Sequence, residues 1–178
     1  MIIKKGWRRN DGLTLIELMV ATAVLSLLMF AIGYSLIIGQ KLWDQGYRRA
    51  KMRTKLSQAL ELISKNLRQA SSIDELTAGS ITFTADLGSG STTYRVYMYH
   101  EDDSAPNPPY TEDGYDLRWA IGTVTYGSGA VIATNIDRPT PPSSNPFSQS
   151  GNVITMNFTL EDGDQEVNMR TNVRVRNL

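Results

Sequence analysis

The feature that most constrains this chain is the run from Leu18 to Gly39, 22 consecutive residues without a charged side chain. As an α-helix it spans about 33 Å, close to the thickness of a bilayer's hydrocarbon core. Ahead of it, Met1 to Gly12 carry Lys4, Lys5, Arg8 and Arg9 against Asp11. A basic start before an apolar stretch is also the form of a secretory signal, but the apolar region of a signal is about 7 to 15 residues long and ends in a small-residue cleavage site. Asn10 and Asp11 follow Arg8 and Arg9 where a twin-arginine signal would turn apolar. Length therefore favours a retained transmembrane helix.

Composition narrows the chemistry further. Lysine plus arginine equals aspartate plus glutamate at 18 each, which argues against wholesale nucleic-acid binding. Without its first twelve residues the chain has 14 basic and 17 acidic side chains. It has no cysteine, so a disulfide framework, a thiolate metal site and a cysteine nucleophile are all excluded. His100 is the single histidine, which excludes chemistry that needs two imidazoles.

A plain anchor does not explain Glu17, at the entrance to the apolar run. A carboxylate central in a span costs about 2.5 to 3.5 kcal/mol, less near its end, and normally needs a partner. The succession Gly12-Leu13-Thr14-Leu15-Ile16-Glu17, after a short basic leader and before an apolar helix, resembles the type IV pilin and pseudopilin family. The resemblance implies cleavage between Gly12 and Leu13 by prepilin peptidase, a membrane aspartyl protease, and methylation of the new Leu13 amino group. Leu13 departs from the phenylalanine usual at that terminus. It further implies that Glu17 pairs with the amino terminus of an adjacent subunit as helices bundle into a filament. Such a pair would neutralise two charges, each costly when buried alone.

Orientation is less plain from charge. Lys41, Arg48, Arg49, Lys51, Arg53 and Lys55 place six basic residues beyond the span against four in the leader, so positive-inside counting does not decide. The family resemblance implies a cytoplasmic leader, a single pass through the bacterial inner membrane and an extracytoplasmic, periplasmic C-terminal domain. Trp43 and Tyr47 suit an interfacial belt, with Lys41, Arg48 and Arg49 at lipid phosphates or against acidic neighbours.

All seven prolines lie at or after Pro106, so nothing in the first hundred residues forces a helix to break. Leu56, Leu60, Ile63, Leu67 and Ala70 recur in steps of four and three, the stripe of an amphipathic helix. The spacing predicts one helix from about Thr14 to Ala70. From Gly79 the period becomes two, predicting strands at 80–84, 94–99 and 153–160, a turn at Asp162-Gly163-Asp164 and a returning strand over 166–176. Shorter strands are expected at 117–121, 122–126 and 130–134. The organisation expected is a leader (1–12), an assembly helix (13–39), its amphipathic continuation (40–78) and a sheet domain (79–178). The fold class is α+β, a long helix packed on an antiparallel sheet.

Two loops interrupt the sheet. The first, 101–116, holds six carboxylates, and Asp102, Asp103 and Asp113 are the calcium candidates, although their spacing matches no EF-hand. The second, 137–151, is rich in proline and serine. Glu101 and Glu112 invite a general acid/base reading, but nothing in the pattern positions them, and the chain is read as a structural protein without cofactor or small-molecule substrate. The aromatics from Tyr94 to Tyr126 either stack on bases or sugars or fill the faces of the sheet.

Within the family, the absence of cysteine and the closing stretch from Val131 are most like W-type minor pilins and J-type minor pseudopilins of type II secretion. That resemblance implies other pilin subunits, the prepilin peptidase and an inner-membrane assembly platform as partners, with a role in initiation or at the filament tip. An adhesive or DNA-binding tip module is the alternative.

Overall fold

The computed structural model describes residues 14–88, 90–103, 114–122, 125–137 and 145–176. Helix α1 runs from Leu15 to Leu67 and is followed by eight strands: β1 (Ala70–Leu76), β2 (Ser80–Asp86), β3 (Ser91–Tyr99), β4 (Tyr115–Ile121), β5 (Ala130–Ile136), β6 (Phe147–Ser150), β7 (Val153–Asp162) and β8 (Gln165–Arg174). The chain divides into two units, the first ending at Asp44 and the second beginning at Gln45. Every strand pairing is antiparallel, in the order β1-β2-β3-β4-β5-β7, with β8 on the other edge of β7. β5 and β6 share one edge of β7: Ile136 pairs with Leu160, and Phe147 to Ser150 pair with Val153 to Met156. This is the α+β arrangement that the change of period predicts.

In the second unit, Met52, Leu56, Ala59, Leu60, Ile63 and Leu67 form the buried stripe of α1. They pack with Ile81, Phe83 and Ala85 of β2, Val96 and Met98 of β3, and Ile154, Met156, Phe158 and Leu160 of β7 in one core. The alternation of these strand residues is the pleat itself, one face inward and one outward. Burying a side chain the size of Leu56 or Ile63 contributes about 1.5 to 3 kcal/mol.

The helix stops earlier than its apolar period suggests. Ala70 is fully buried, as the stripe requires, but it opens β1 instead of closing α1. Arg68 and Gln69 turn the chain, the latter donating its N–H to the Asn66 carbonyl at 3.0 Å. The segment 40–78 is therefore helix only to Leu67, and β1 is a strand that the pattern did not announce. Nor is 122–126 a strand in its described part. Gly122, Gly127 and Gly129 have φ of 74°, 90° and 114°, and the chain turns at Thr125, whose carbonyl accepts the Ser128 N–H at 3.0 Å. Such angles favour glycine and interrupt extended pairing. The proline-rich stretch expected as a loop contains β6, and β4 begins at Tyr115, inside the acidic loop as first drawn.

Candidate functional site

The site predicted at the start of α1 is visible from Thr14 onward; the cleavage and methylation residues Gly12 and Leu13 lie outside the described residues. Thr14 and Glu17 form a reciprocal pair. The Thr14 N–H and hydroxyl both donate to Oε2 of Glu17, at 3.0 and 2.9 Å, and the Glu17 N–H donates to the Thr14 hydroxyl oxygen at 3.3 Å. This is a capping box: each side chain satisfies a backbone donor that a helix start leaves without an intrahelical acceptor. The Thr14 carbonyl then accepts from Leu18 N–H at 3.1 Å, which begins the helical ladder. Both donors go to one oxygen, so Oε1 of Glu17 keeps its acceptor capacity, among the described residues, for something outside the chain.

Thr14 is a functional residue whose signal lies in the sequence itself. Threonine three residues before glutamate at the mouth of an apolar run is the capping-box pattern.

Beyond Glu17 the first unit presents apolar surface on all sides. Leu15, Leu27 and Phe30 are 78%, 72% and 75% exposed, and no residue of the most apolar window is buried within the protein. By length and composition this helix can cross a membrane. Its hydroxyls are compatible with that environment, because Thr22, Ser26 and Ser35 donate back to the carbonyls of Met19, Thr22 and Ala31 at 2.8 to 2.9 Å. A polar group satisfied inside its own helix can face lipid at modest cost.

Lys41, Trp43, Tyr47, Arg48 and Arg49 are all exposed. The structure divides the basic segment, however. Arg48, Lys51 and Lys55 line a groove shared with Glu161 and Asp162 of the β7–β8 hairpin, and Arg49 and Arg53 are exposed. Three of the six basic residues beyond the span thus share a groove with carboxylates of their own domain.

Two of the three calcium candidates are described. Asp102 lies 3.7 Å from the His100 imidazole, Asp103 is half-buried, and Asp113 is outside the described residues. Among the described residues no group of three His, Asp or Glu side chains is arranged to hold a metal.

The aromatics fill the sheet. Tyr94 stacks on Phe83 with ring centroids 5.8 Å apart, and Trp119 meets both rings. On the outer face Tyr97 is 1% exposed and donates its hydroxyl to the Ser128 carbonyl, while the Arg118 guanidinium lies 4.1 Å over Tyr99. Tyr126 closes this cluster, donating to the Met98 carbonyl at 3.2 Å, and burial pushes its hydroxyl up to about 12.

Residues 7–33 match the family model described as the prokaryotic N-terminal methylation motif. The chain carries a prokaryotic N-terminal methylation motif. Glu17, its capping partner Thr14 and the apolar run as far as Gly33 all lie inside the matched segment. The motif supports a type IV pilin-like protein, points to a structural role and is consistent with inner-membrane anchoring. No curated protein and no solved structure matches the chain.

Proposed function

We propose that the chain is a structural subunit of a type IV pilus or type II secretion pseudopilus. In this reading it inserts once in the inner membrane with its C-terminal domain on the periplasmic side, and prepilin peptidase cuts it between Gly12 and Leu13 and methylates Leu13. The observation that carries the reading is the state of Glu17: a carboxylate fixed by Thr14 at the start of an apolar helix, with one oxygen left over among the described residues. Cleavage would create a cationic amino group four residues before Glu17, and a neighbouring subunit's amino group would fill the free acceptor position. Lys41, Trp43, Tyr47 and the exposed side of Arg48 and Arg49 would meet lipid headgroups where the apolar run ends. The finer reading is a minor subunit, W-type or J-type, that acts with other pilins and the assembly platform at initiation or at the tip.

Against the alternative, an adhesive or DNA-binding tip module, stand the buried rings of Tyr94, Tyr97 and Tyr115, while Tyr99, Trp119 and Tyr126 are half-buried against neighbouring rings. Intact-mass measurement of the chain extracted from membranes tests the main reading. The expected species begins at Leu13 and carries one added methyl group; a species still beginning at Met1 would refute processing.

A further inference from the structure

The sheet ends in β1 on one side and in β8 on the other, and the two edges are finished differently. At β1 two register shifts against β2 interrupt the pairing, and the Asp74 carboxylate accepts from the Ser72 and Thr84 hydroxyls, both at 2.7 Å. Irregularities of this kind twist an edge away from further pairing. In β8, ten consecutive residues from Gln165 to Arg174 pair with β7 without a shift, and they include neither proline nor glycine. Among the described residues β8 pairs with β7 alone. The N–H and C=O groups along its other side are therefore left to water or to an outside strand.

The side chains of β8 show what such a strand must carry. Gln165, Val167 and Val173 are buried, whereas Glu166, Asn168, Arg170, Asn172 and Arg174 form an exposed row on the opposite face. The pairing with β7 leaves each charge in this row unmatched: Glu166 stands opposite Glu161, Arg170 opposite Asn157 and Arg174 opposite Val153. None of the three forms an ion pair among the described residues. Like charges opposed across strands are destabilising and opposite charges favourable, so a strand on the free side is favoured most where it supplies the missing signs. The cationic end continues past the strand, where Arg176 and Arg68 join Arg174 in a groove with Asn152 and Asn172.

We infer that the free edge of β8 takes up an extended segment of another polypeptide by strand addition, and that this segment is acidic where it passes Arg170, Arg174 and Arg176. Main-chain hydrogen bonds along the edge supply affinity, and side chains at alternate positions supply the choice of partner. Laid antiparallel to β8, the segment sets carboxylates opposite Arg176, Arg174 and Arg170 in turn, and a basic residue opposite Glu166. Guanidinium groups bind carboxylates through paired, charge-assisted hydrogen bonds, which suits an occupant of this sign. A second copy of β8 fits the row less well, because the two-fold register that aligns Glu166 with Arg174 also sets Arg170 against Arg170. The inference uses the second unit alone and goes beyond the subunit reading, which it does not require.

The test uses the full-length chain in detergent and a fluorescent eleven-residue peptide. The peptide has glutamate at its first, third and seventh positions, lysine at its eleventh, threonine at its fifth and ninth and valine between them, so that its third position passes Arg174. Fluorescence anisotropy should show saturable binding, with hydrogen exchange slowed at the β8 amides and unchanged in β1. Arg170→Glu together with Arg174→Glu should weaken binding about tenfold, and a peptide with lysine at its third and seventh positions should recover it on that variant. The main chain of an antiparallel strand bonds to one neighbour at alternate residues. Of two peptides N-methylated at the even or at the odd positions, one should therefore lose binding and the other keep it. Binding that does not saturate by about 1 mM peptide would overturn the inference. Equal losses from the two N-methylated peptides would mark a contact through charge alone and overturn strand addition. A dimer that protects the β8 amides without peptide would assign the edge to a second copy and overturn it as well.

Discussion

The two parts of α1 belong to one continuous helix, yet they are stabilised in opposite ways. From Leu15 to Asp44 the apolar side chains cover the whole circumference and none is buried; from Gln45 to Leu67 they narrow to the stripe of Met52, Leu56, Ala59, Leu60, Ile63 and Leu67, buried against the sheet. A helix apolar all round needs an apolar environment or apolar partners, whereas one with a stripe needs a single packing face. The comparison teaches that the second part can hold its structure within the domain and the first only with help from outside it. The polar groups follow the same division: Glu17 is held by Thr14 and, among the described residues, still has an open oxygen, while the fully buried Ser80 is satisfied by Thr77, whose hydroxyl accepts its N–H at 3.0 Å.

The sharpest way to break this contrast is to empty the buried stripe. Leu56→Ala should destabilise the second unit by about 2 to 5 kcal/mol, read by urea unfolding in detergent. Leu27→Ala, at a position 72% exposed, should leave that unfolding free energy within about 0.5 kcal/mol. Equal losses at the two positions would show that the first half of α1 also packs in the domain.

A smaller effect is expected at the helix start. Thr14→Ala removes the capping box and should cost about 1 kcal/mol of local helix stability, while Thr14→Ser should retain most of it. Hydrogen exchange of the amides at residues 15–18 measures this, with exchange in the second unit unchanged.

A third effect is confined to alkaline pH. Tyr126 ionises near 12 in the folded protein and near 10 when unfolded, so the folded state holds its proton more tightly. Stability should therefore be fully present below about pH 10 and decline as pH rises toward 12. Tyr126→Phe should flatten part of that decline, at the expense of the hydrogen bond to Met98, in melting curves taken across this range.

Much of this architecture is legible in the residues themselves. The four-and-three spacing from Leu56 to Leu67 marks the buried face, and the change to a period of two marks β2, β3, β7 and β8, because both patterns record which side chains leave water. β1 escapes such a reading: Ser71, Ser72, Asp74 and Glu75 are polar, and two register shifts against β2 disrupt the alternation. β6 escapes because it is four residues long, with Phe147 its single apolar side chain. At the candidate site Glu17 is conspicuous because a carboxylate beside an apolar run is costly, whereas Thr14 acts through local geometry that only the hydrogen bonds display. Arg68, Arg174 and Arg176 lie more than a hundred positions apart at the extremes, and only the fold makes them neighbours.

The central claim is that Glu17 serves assembly between chains more than folding within one. Its most direct test compares wild type with Glu17→Ala for incorporation into sheared surface or pseudopilus filaments, alongside urea unfolding of the second unit. The account predicts that Glu17→Ala still inserts, is cut at Leu13 and unfolds like wild type, yet is lost from the filament fraction. Glu17→Ala chains found there at wild-type abundance would contradict it.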